Sequence, residues 1–131
     1  MIISTKGRYA ICIMVDLAKH NDGSYVSLKD ISERQEISMK YLEAIIAKLS
    51  KGGLVDSARG KTGGYRLNRR VEEYSIGEIL MLTEKSLAPV SCVECENQCT
   101  KEGSCLSCPM WNELNSVIME FLHSKTLADL L

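Results

Sequence analysis

Aromatic residues are scarce in this chain, with one Trp, one Phe and five Tyr among 131 residues. Any core must therefore be aliphatic, and the 45% of residues that are hydrophobic suffice for one domain of ordinary size. No run approaches the ~18 uninterrupted apolar residues that a membrane span requires. The N-terminus also lacks the order of basic region, apolar stretch and cleavage site that marks a secretory signal. The chain is thus expected in the cytoplasm, where reduced thiols are the rule and cysteine clusters bind metal or sense redox state rather than form structural disulfides. No catalytic triad, phosphate loop or thioredoxin-like βαβ context is present, so the sequence is not expected to be an enzyme, and a small redox enzyme is disfavoured. Internal repeats and low-complexity tracts are missing too. Histidine occurs twice, as His20 and His123; each falls near a helix end, and neither reads as a metal ligand.

What is present is unevenly distributed. The net charge is −1, yet residues 1–75 carry 13 Lys+Arg against 9 Asp+Glu, while residues 76–131 carry 3 against 8. Within residues 38–71 stand Lys40, Lys48, Lys51, Arg59, Lys61, Arg66, Arg69 and Arg70, with Glu43 and Asp56 as the acids. A basic N-terminal half joined to an acidic C-terminal half is the footprint of a nucleic-acid reader with a separate regulatory segment.

Local patterns give that footprint a shape. After Thr5 as N-cap, KGRYAICIMVDLAKH predicts a helix with apolar residues nearly all round, buried on more than one side, with Cys12 as a small buried hydrophobe. Asp22-Gly23 ends it. Ser27, with Asp30 three residues on, caps a short helix over about 28–34, directing Leu28, Ile31 and Ile37 inward. The tripeptide EIS makes a tight turn, and Ser38 caps a third helix, MKYLEAIIAKLSKG, stopped by Gly52-Gly53. Leu42, Ile45, Ile46 and Leu49 share one face of that helix. Two short helices joined by a tight turn, the second amphipathic, are a helix-turn-helix candidate. LVDSARGKTGGYRLNR follows as a basic β-hairpin with its tip at Arg59–Gly63, in the position of a wing. Ser75-Ile76-Gly77-Glu78 is a capping box that opens a further helix reaching about Lys85. From about Pro109, the positions Met110, Trp111, Leu114, Val117, Ile118, Phe121 and Leu122 step by three and four, predicting a terminal helix with one apolar stripe. Trp111 is read as core rather than functional. The fold class expected is mainly α, a winged helix-turn-helix with a small hairpin wing and a long C-terminal helix. Three parts follow: residues 1–85 as the DNA-binding domain, 86–108 as a cysteine-rich sensor loop and 109–131 as a terminal helix whose apolar stripe covers its own domain or a partner's copy.

A recognition helix presents its first turns to base edges in the major groove. Ser38, Met39, Lys40, Tyr41 and Glu43 occupy those turns, with Lys40 and Tyr41 within reach of phosphates. Glu43 is informative because phosphate repels a carboxylate, so it must accept from a cytosine amino group or discriminate against other bases. Lys48 and Lys61 add positive charge. In the wing, Arg59 suits the minor groove, while Gly60, Gly63 and Gly64 permit close approach of backbone to phosphate.

STKGRYAICIMVDLA, VSLKDISERQEISMKYLEAIIAKLSKGGLVDSARGKTGGYRL and YSIGEIL together resemble the Rrf-two family of bacterial winged-helix transcription regulators. That family includes iron–sulfur regulators, nitric-oxide sensors and cysteine-metabolism repressors. The resemblance covers nearly all of the chain and is densest over residues 4–80. It implies a homodimer clasped through the C-terminal helix (residues 109–131, the dimerisation helix) and binding a pseudo-palindromic operator in double-stranded DNA; a repressor is the expected form, with an activator left open. It also implies that Ser38, Tyr41 and Glu43 lie at the DNA, with Arg59 in the wing.

The remaining feature is SCVECENQCTKEGSCLSCPMW, which holds Cys92, Cys95, Cys99, Cys105 and Cys108. As pairs, Cys92-x2-Cys95 and Cys105-x2-Cys108 suit tetrahedral zinc. The iron–sulfur members of the resembled family instead carry three cysteines, a histidine and a nearby tryptophan. Cys99-x5-Cys105-x2-Cys108-x2-Trp111 follows the later part of that pattern, with Cys108 where the histidine would stand and Cys92, or Cys95 in its place, as the remaining cysteine. The expected cofactor is an iron–sulfur cluster of the [2Fe–2S] type on Cys92, Cys99, Cys105 and Cys108. Zinc and a metal-free thiol sensor are the alternatives, as is a cysteine-metabolism repressor without a cluster. Full thiolate ligation predicts a low reduction potential.

Overall fold

The computed structural model describes residues 3–93 and 105–131. It is mainly helical, in the order α1 (Thr5–Lys19), α2 (Leu28–Gln35), α3 (Met39–Lys51), β1 (Val55–Ala58), β2 (Gly64–Leu67), α4 (Ile76–Thr83) and α5 (Cys108–Ser124), with single 3-10 turns at Val71–Glu73, Ser91–Val93 and Leu127–Leu130. This is the expected winged helix-turn-helix. Among the described residues no helix is long and apolar enough to cross a membrane.

Side-chain caps start four of the five described helices, the first from Ser4 rather than from the expected Thr5. The hydroxyls of Ser4, Ser27, Ser38 and Ser75 accept from the backbone N–H of Gly7, Asp30, Tyr41 and Glu78, each satisfying a donor that the helix leaves unpaired. Between α2 and α3 the chain turns at Glu36, which adopts a left-handed conformation (φ 55°, ψ 41°), and buried Ile37 anchors the corner. β1 and β2 pair antiparallel with Val55 opposite Leu67 and Ala58 opposite Gly64. Val26 and Tyr65 exchange two 2.8 Å backbone hydrogen bonds, which tie the wing to the α1–α2 loop.

The core is aliphatic, as the composition requires. Ala10, Ile13, Met14 and Leu17 of α1 meet Ile31 of α2, Leu42, Ile45, Ile46 and Leu49 of α3, Leu54 and Val55, Leu67 and Ile79. Cys12 departs from expectation. It is exposed rather than buried, because α1 packs on α2, α3, α4 and β2 through other positions around its circumference. α4 stops at Thr83, two residues short of Lys85. Trp111 is half-buried rather than core, and no residue of α5 is fully buried in the single chain.

Three polar anchors hold the layers together. Asp16, 1% exposed, accepts from Arg34 Nη2 at 2.8 Å, Arg34 Nε at 3.0 Å and Gln35 Nε2 at 2.9 Å, binding α1 to the last turn of α2. Tyr74, fully buried, donates to the Leu54 carbonyl at 2.8 Å and accepts from the Asn68 and Arg69 backbone, joining the end of α3 to the exit of the wing. Burial pushes its phenol up from the usual tyrosine value. Glu84 accepts from both the backbone N–H and the hydroxyl of Ser4, at 2.9 and 2.7 Å, closing the end of α4 onto the start of α1.

After α5 the chain folds back on the winged domain. Ile76 N–H donates to the Lys125 carbonyl at 2.8 Å, and Leu127 N–H to the Tyr74 carbonyl at 2.9 Å. Leu127 is itself 0% exposed within the core.

Candidate nucleic-acid interface and cysteine site

The first turns of α3 separate into a buried and a presented face. Leu42, Ile45, Ile46 and Leu49 point into the core, leaving Ser38, Met39, Lys40 and Glu43 exposed together with Ala44 and Ala47. Tyr41 is half-buried, its ring edge-on to Tyr9 of α1 with centroids 5.5 Å apart, so α1 sets the direction of this side chain. Ala44 and Ala47 carry no charge or hydrogen-bonding group to mark them in the sequence; only the placement of α3 shows that their methyls lie on the presented strip.

Lys48 is exposed five residues beyond Glu43, about 8 Å further along the helix. There it lines a cleft of about 620 Å³ with Ser4, Lys6, Glu84 and Lys85, at the end of α4.

In the wing, Arg59, Gly60 and Lys61 are exposed at the tip, with Gly60 at φ 106°. Gly63 and Gly64 have structural work of their own. A Cβ on Gly63 would collide with the Ala58 carbonyl, and one on Gly64, at φ 151°, with the Val26 carbonyl. The basic residues then divide by partner. Arg66 stacks 4.4 Å over Tyr25 and donates to the Gly23 carbonyl at 2.8 Å, Arg69 pairs with Glu78 at 3.0 Å, and Arg70 lies 3.6 Å from Glu72. Among the described residues Lys40, Lys48, Lys51, Arg59 and Lys61 make no ion pair. Charge counting alone could not make that division.

The cysteine segment is described at its two ends; Cys95 and Cys99 lie outside the described residues. Cys92 is half-buried in the 3-10 turn Ser91–Val93, which packs against α5. Cys105 and Cys108, also half-buried, flank the start of α5, and Cys108 N–H donates to the Cys105 carbonyl at 3.4 Å. Cys108 is the first residue of α5, with Pro109 next, so its sulfur sits where the helix dipole favours negative charge. Asn112 Nδ2 donates to Cys108 Sγ at 3.4 Å, and Cys105 Sγ lies 3.2 Å from Ser107 Oγ.

The histidines are placed elsewhere. His20 Nδ1 lies 2.8 Å from the Asp16 carbonyl, and His123, fifteen residues and about 22 Å along α5 from Cys108, packs on Gly77. The donors at this end of α5 are therefore thiols, a soft set that fits an iron–sulfur cluster and equally zinc. Among the described residues no three His, Cys, Asp or Glu side chains converge on one point.

Along α5, Met110 (52% exposed), Leu114 (39%), Val117 (58%) and Phe121 (57%) form a bare apolar strip. α5 itself packs on α4, and α4 in turn on α3 and α1.

Residues 3–131 match the family model Rrf2, described as an iron-dependent transcriptional regulator. The chain belongs to the Rrf2 family. Among curated Rrf2 relatives, the HTH-type transcriptional regulator IscR of Vibrio vulnificus is 42% identical over 131 residues, covering 100% of this chain and 77% of its own length. Among solved structures, CymR, the global cysteine regulator of B. subtilis, superposes with a TM-score of 0.80 at 36% identity, covering 99% of this chain and 95% of that one. IscR of T. potens gives a TM-score of 0.75 at 39% identity, covering 99% and 85%. The Rrf2 relatives are transcriptional regulators rather than enzymes, and this chain is a transcriptional regulator of the same family.

Proposed function

We propose that this chain is a cytoplasmic homodimeric repressor that reads a pseudo-palindromic operator in double-stranded DNA and releases or retains it according to an iron–sulfur cluster. The observation that carries this reading is one of position. Two of the cysteines, Cys105 and Cys108, stand at the head of α5, and α5 packs on α4, which packs on α3. A change at the cysteines is thus two packing interfaces away from the presented helix, along packed elements able to adopt discrete arrangements.

In this reading residues 1–85 bind DNA, 86–108 sense, and 109–131 dimerise. Ser38, Met39, Lys40, Tyr41 and Glu43 meet the major groove, Glu43 accepting from a cytosine amino group and the Ala44 and Ala47 methyls lying against the base edges. Arg59 enters the minor groove, and Lys61, Gly60, Gly63 and Gly64 bring the wing to phosphate. Lys48, at the far end of α3, contributes charge rather than base contact. Cys92, Cys99, Cys105 and Cys108 hold the cluster, with Cys95 able to stand for Cys92. When bound, a [2Fe–2S] group supplies a link between the two ends of the cysteine segment that iron supply and oxidants make or break. The bare strip of α5 covers its counterpart in the second copy.

The family description as iron-dependent favours iron over zinc. The likeness to a global cysteine regulator supports a second reading, in which the chain answers to cysteine supply without a cluster. Iron and acid-labile sulfide analysis with a visible spectrum, on protein purified without oxygen, separates the two. Stoichiometric iron and sulfide, lost in Cys105→Ala and Cys108→Ala, is expected. Protein without either, and Cys→Ala variants that regulate normally, would leave the cysteine-supply reading.

A further inference from the structure

We propose that Asn112 and Ser107 are positioning residues for the thiolate site at the head of α5, donating hydrogen bonds to the sulfurs of Cys108 and Cys105. The inference rests on the reading that these cysteines ligate an iron–sulfur cluster, and it concerns how such a site is tuned.

Asn112 stands four residues after Cys108 on α5, and residues at that spacing lie one above the other on a helix face. Its amide nitrogen is 3.4 Å from Cys108 Sγ. The amide orientation follows from charge, since the carbonyl end would repel a thiolate while the NH₂ end stabilises it. Ser107 Oγ, 3.2 Å from Cys105 Sγ, is a donor once that sulfur is a thiolate.

Asn112 comes from the second turn of a 17-residue helix, so its direction is set by the helix backbone, while Ser107 is the residue just before that helix, between the two cysteines. The chemistry gives them a purpose. A site in which a cysteine takes the place of a histidine carries more negative charge, which lowers its potential. Hydrogen bonds to ligand sulfur stabilise the more negative, reduced form and raise the potential again. Asn112 and Ser107 therefore offset part of the charge that Cys108 adds, keeping the site within reach of cellular reductants.

The test uses the full chain, reconstituted anaerobically, as wild type, Asn112→Leu, Asn112→Gln and Ser107→Ala. Far-UV circular dichroism establishes that each is folded, and midpoint potentials are measured by dithionite titration followed by visible absorption. Asn112→Leu is expected to shift the oxidised-to-reduced ratio at fixed potential about tenfold toward the oxidised form, ~59 mV for a one-electron couple. Ser107→Ala should move the same way, and Asn112→Gln, which keeps an N–H donor, should restore part of the shift. Loss of iron from Asn112→Leu with retention in Asn112→Gln would support the same role. An unchanged or raised potential in Asn112→Leu, or loss of the cluster from the Leu and Gln variants alike, overturns the inference while leaving the cluster reading intact. A wild type that takes up neither iron nor sulfide overturns both.

Discussion

Asp16 shows how much of this regulator's geometry depends on one side chain. Burial would raise its pKa, but hydrogen bonds from Arg34 and Gln35 and the Arg34 charge outweigh that and hold the carboxyl below the ordinary 3.8. A folded-state value below the unfolded one means that the carboxylate's contribution is fully present above about pH 4 and lost as pH falls through the lowered value. Asp16→Asn should therefore cost about 1–3 kcal/mol at neutral pH, measured by urea unfolding, and should flatten the acid limb of the stability curve below pH 4. The low figure reflects Arg34, whose side chain is 36% exposed and recovers water when its partner is lost. Sequence reasoning could not find this pair, because an acid within an apolar helix gives no sign of which distant arginine will meet it.

The helices and the wing were largely legible, for a physical reason. Serine caps, the left-handed corner before Ser38 and the apolar face of α3 are local, and local rules place them to within a residue or two. The glycines of the wing were legible as a turn but not in their full role. The sequence marks Gly64 as a point of approach to phosphate; its positive φ and the nearby Val26 carbonyl also make it the place where the Val26–Tyr65 bridge leaves no room for a Cβ. Gly64→Ala is expected to destabilise the chain by about 1–3 kcal/mol, seen as a lower melting temperature, before any DNA is added. Gly60 has open space around it and the exposed tip as its setting, so Gly60→Ala should cost less. Long-range closures stayed hidden. Tyr74 reaches back beneath the wing to Leu54, and Leu127 enters the core where the chain returns after α5; no local pattern announces either contact.

Taken together, the elements form a path from the head of α5 to the presented face of α3, with the tail of α5 fixed to the winged domain through Lys125 and Leu127. The exposed strip Met110, Leu114, Val117 and Phe121 was visible in the sequence as a period, though not which part of α5 would rest on α4 and which would stay bare. If that strip joins two copies, Val117→Glu with Phe121→Glu should yield a folded monomer by sedimentation and weaken operator binding at least tenfold, since two half-sites then bind independently. Glu43→Ala should behave differently, leaving the dimer intact and relaxing base preference at one position of each half-site by about 1–3 kcal/mol, as read from binding to a selected duplex and its single-base variants.

The central claim is that the cysteine site governs the DNA surface. Its most direct test is the affinity of one selected duplex for the same preparation with its iron retained and after anaerobic removal by chelator, measured by fluorescence anisotropy at fixed salt. A change of tenfold or more, absent in Cys108→Ala, is the expected result. Equal affinities for the iron-loaded and iron-stripped protein would contradict the claim.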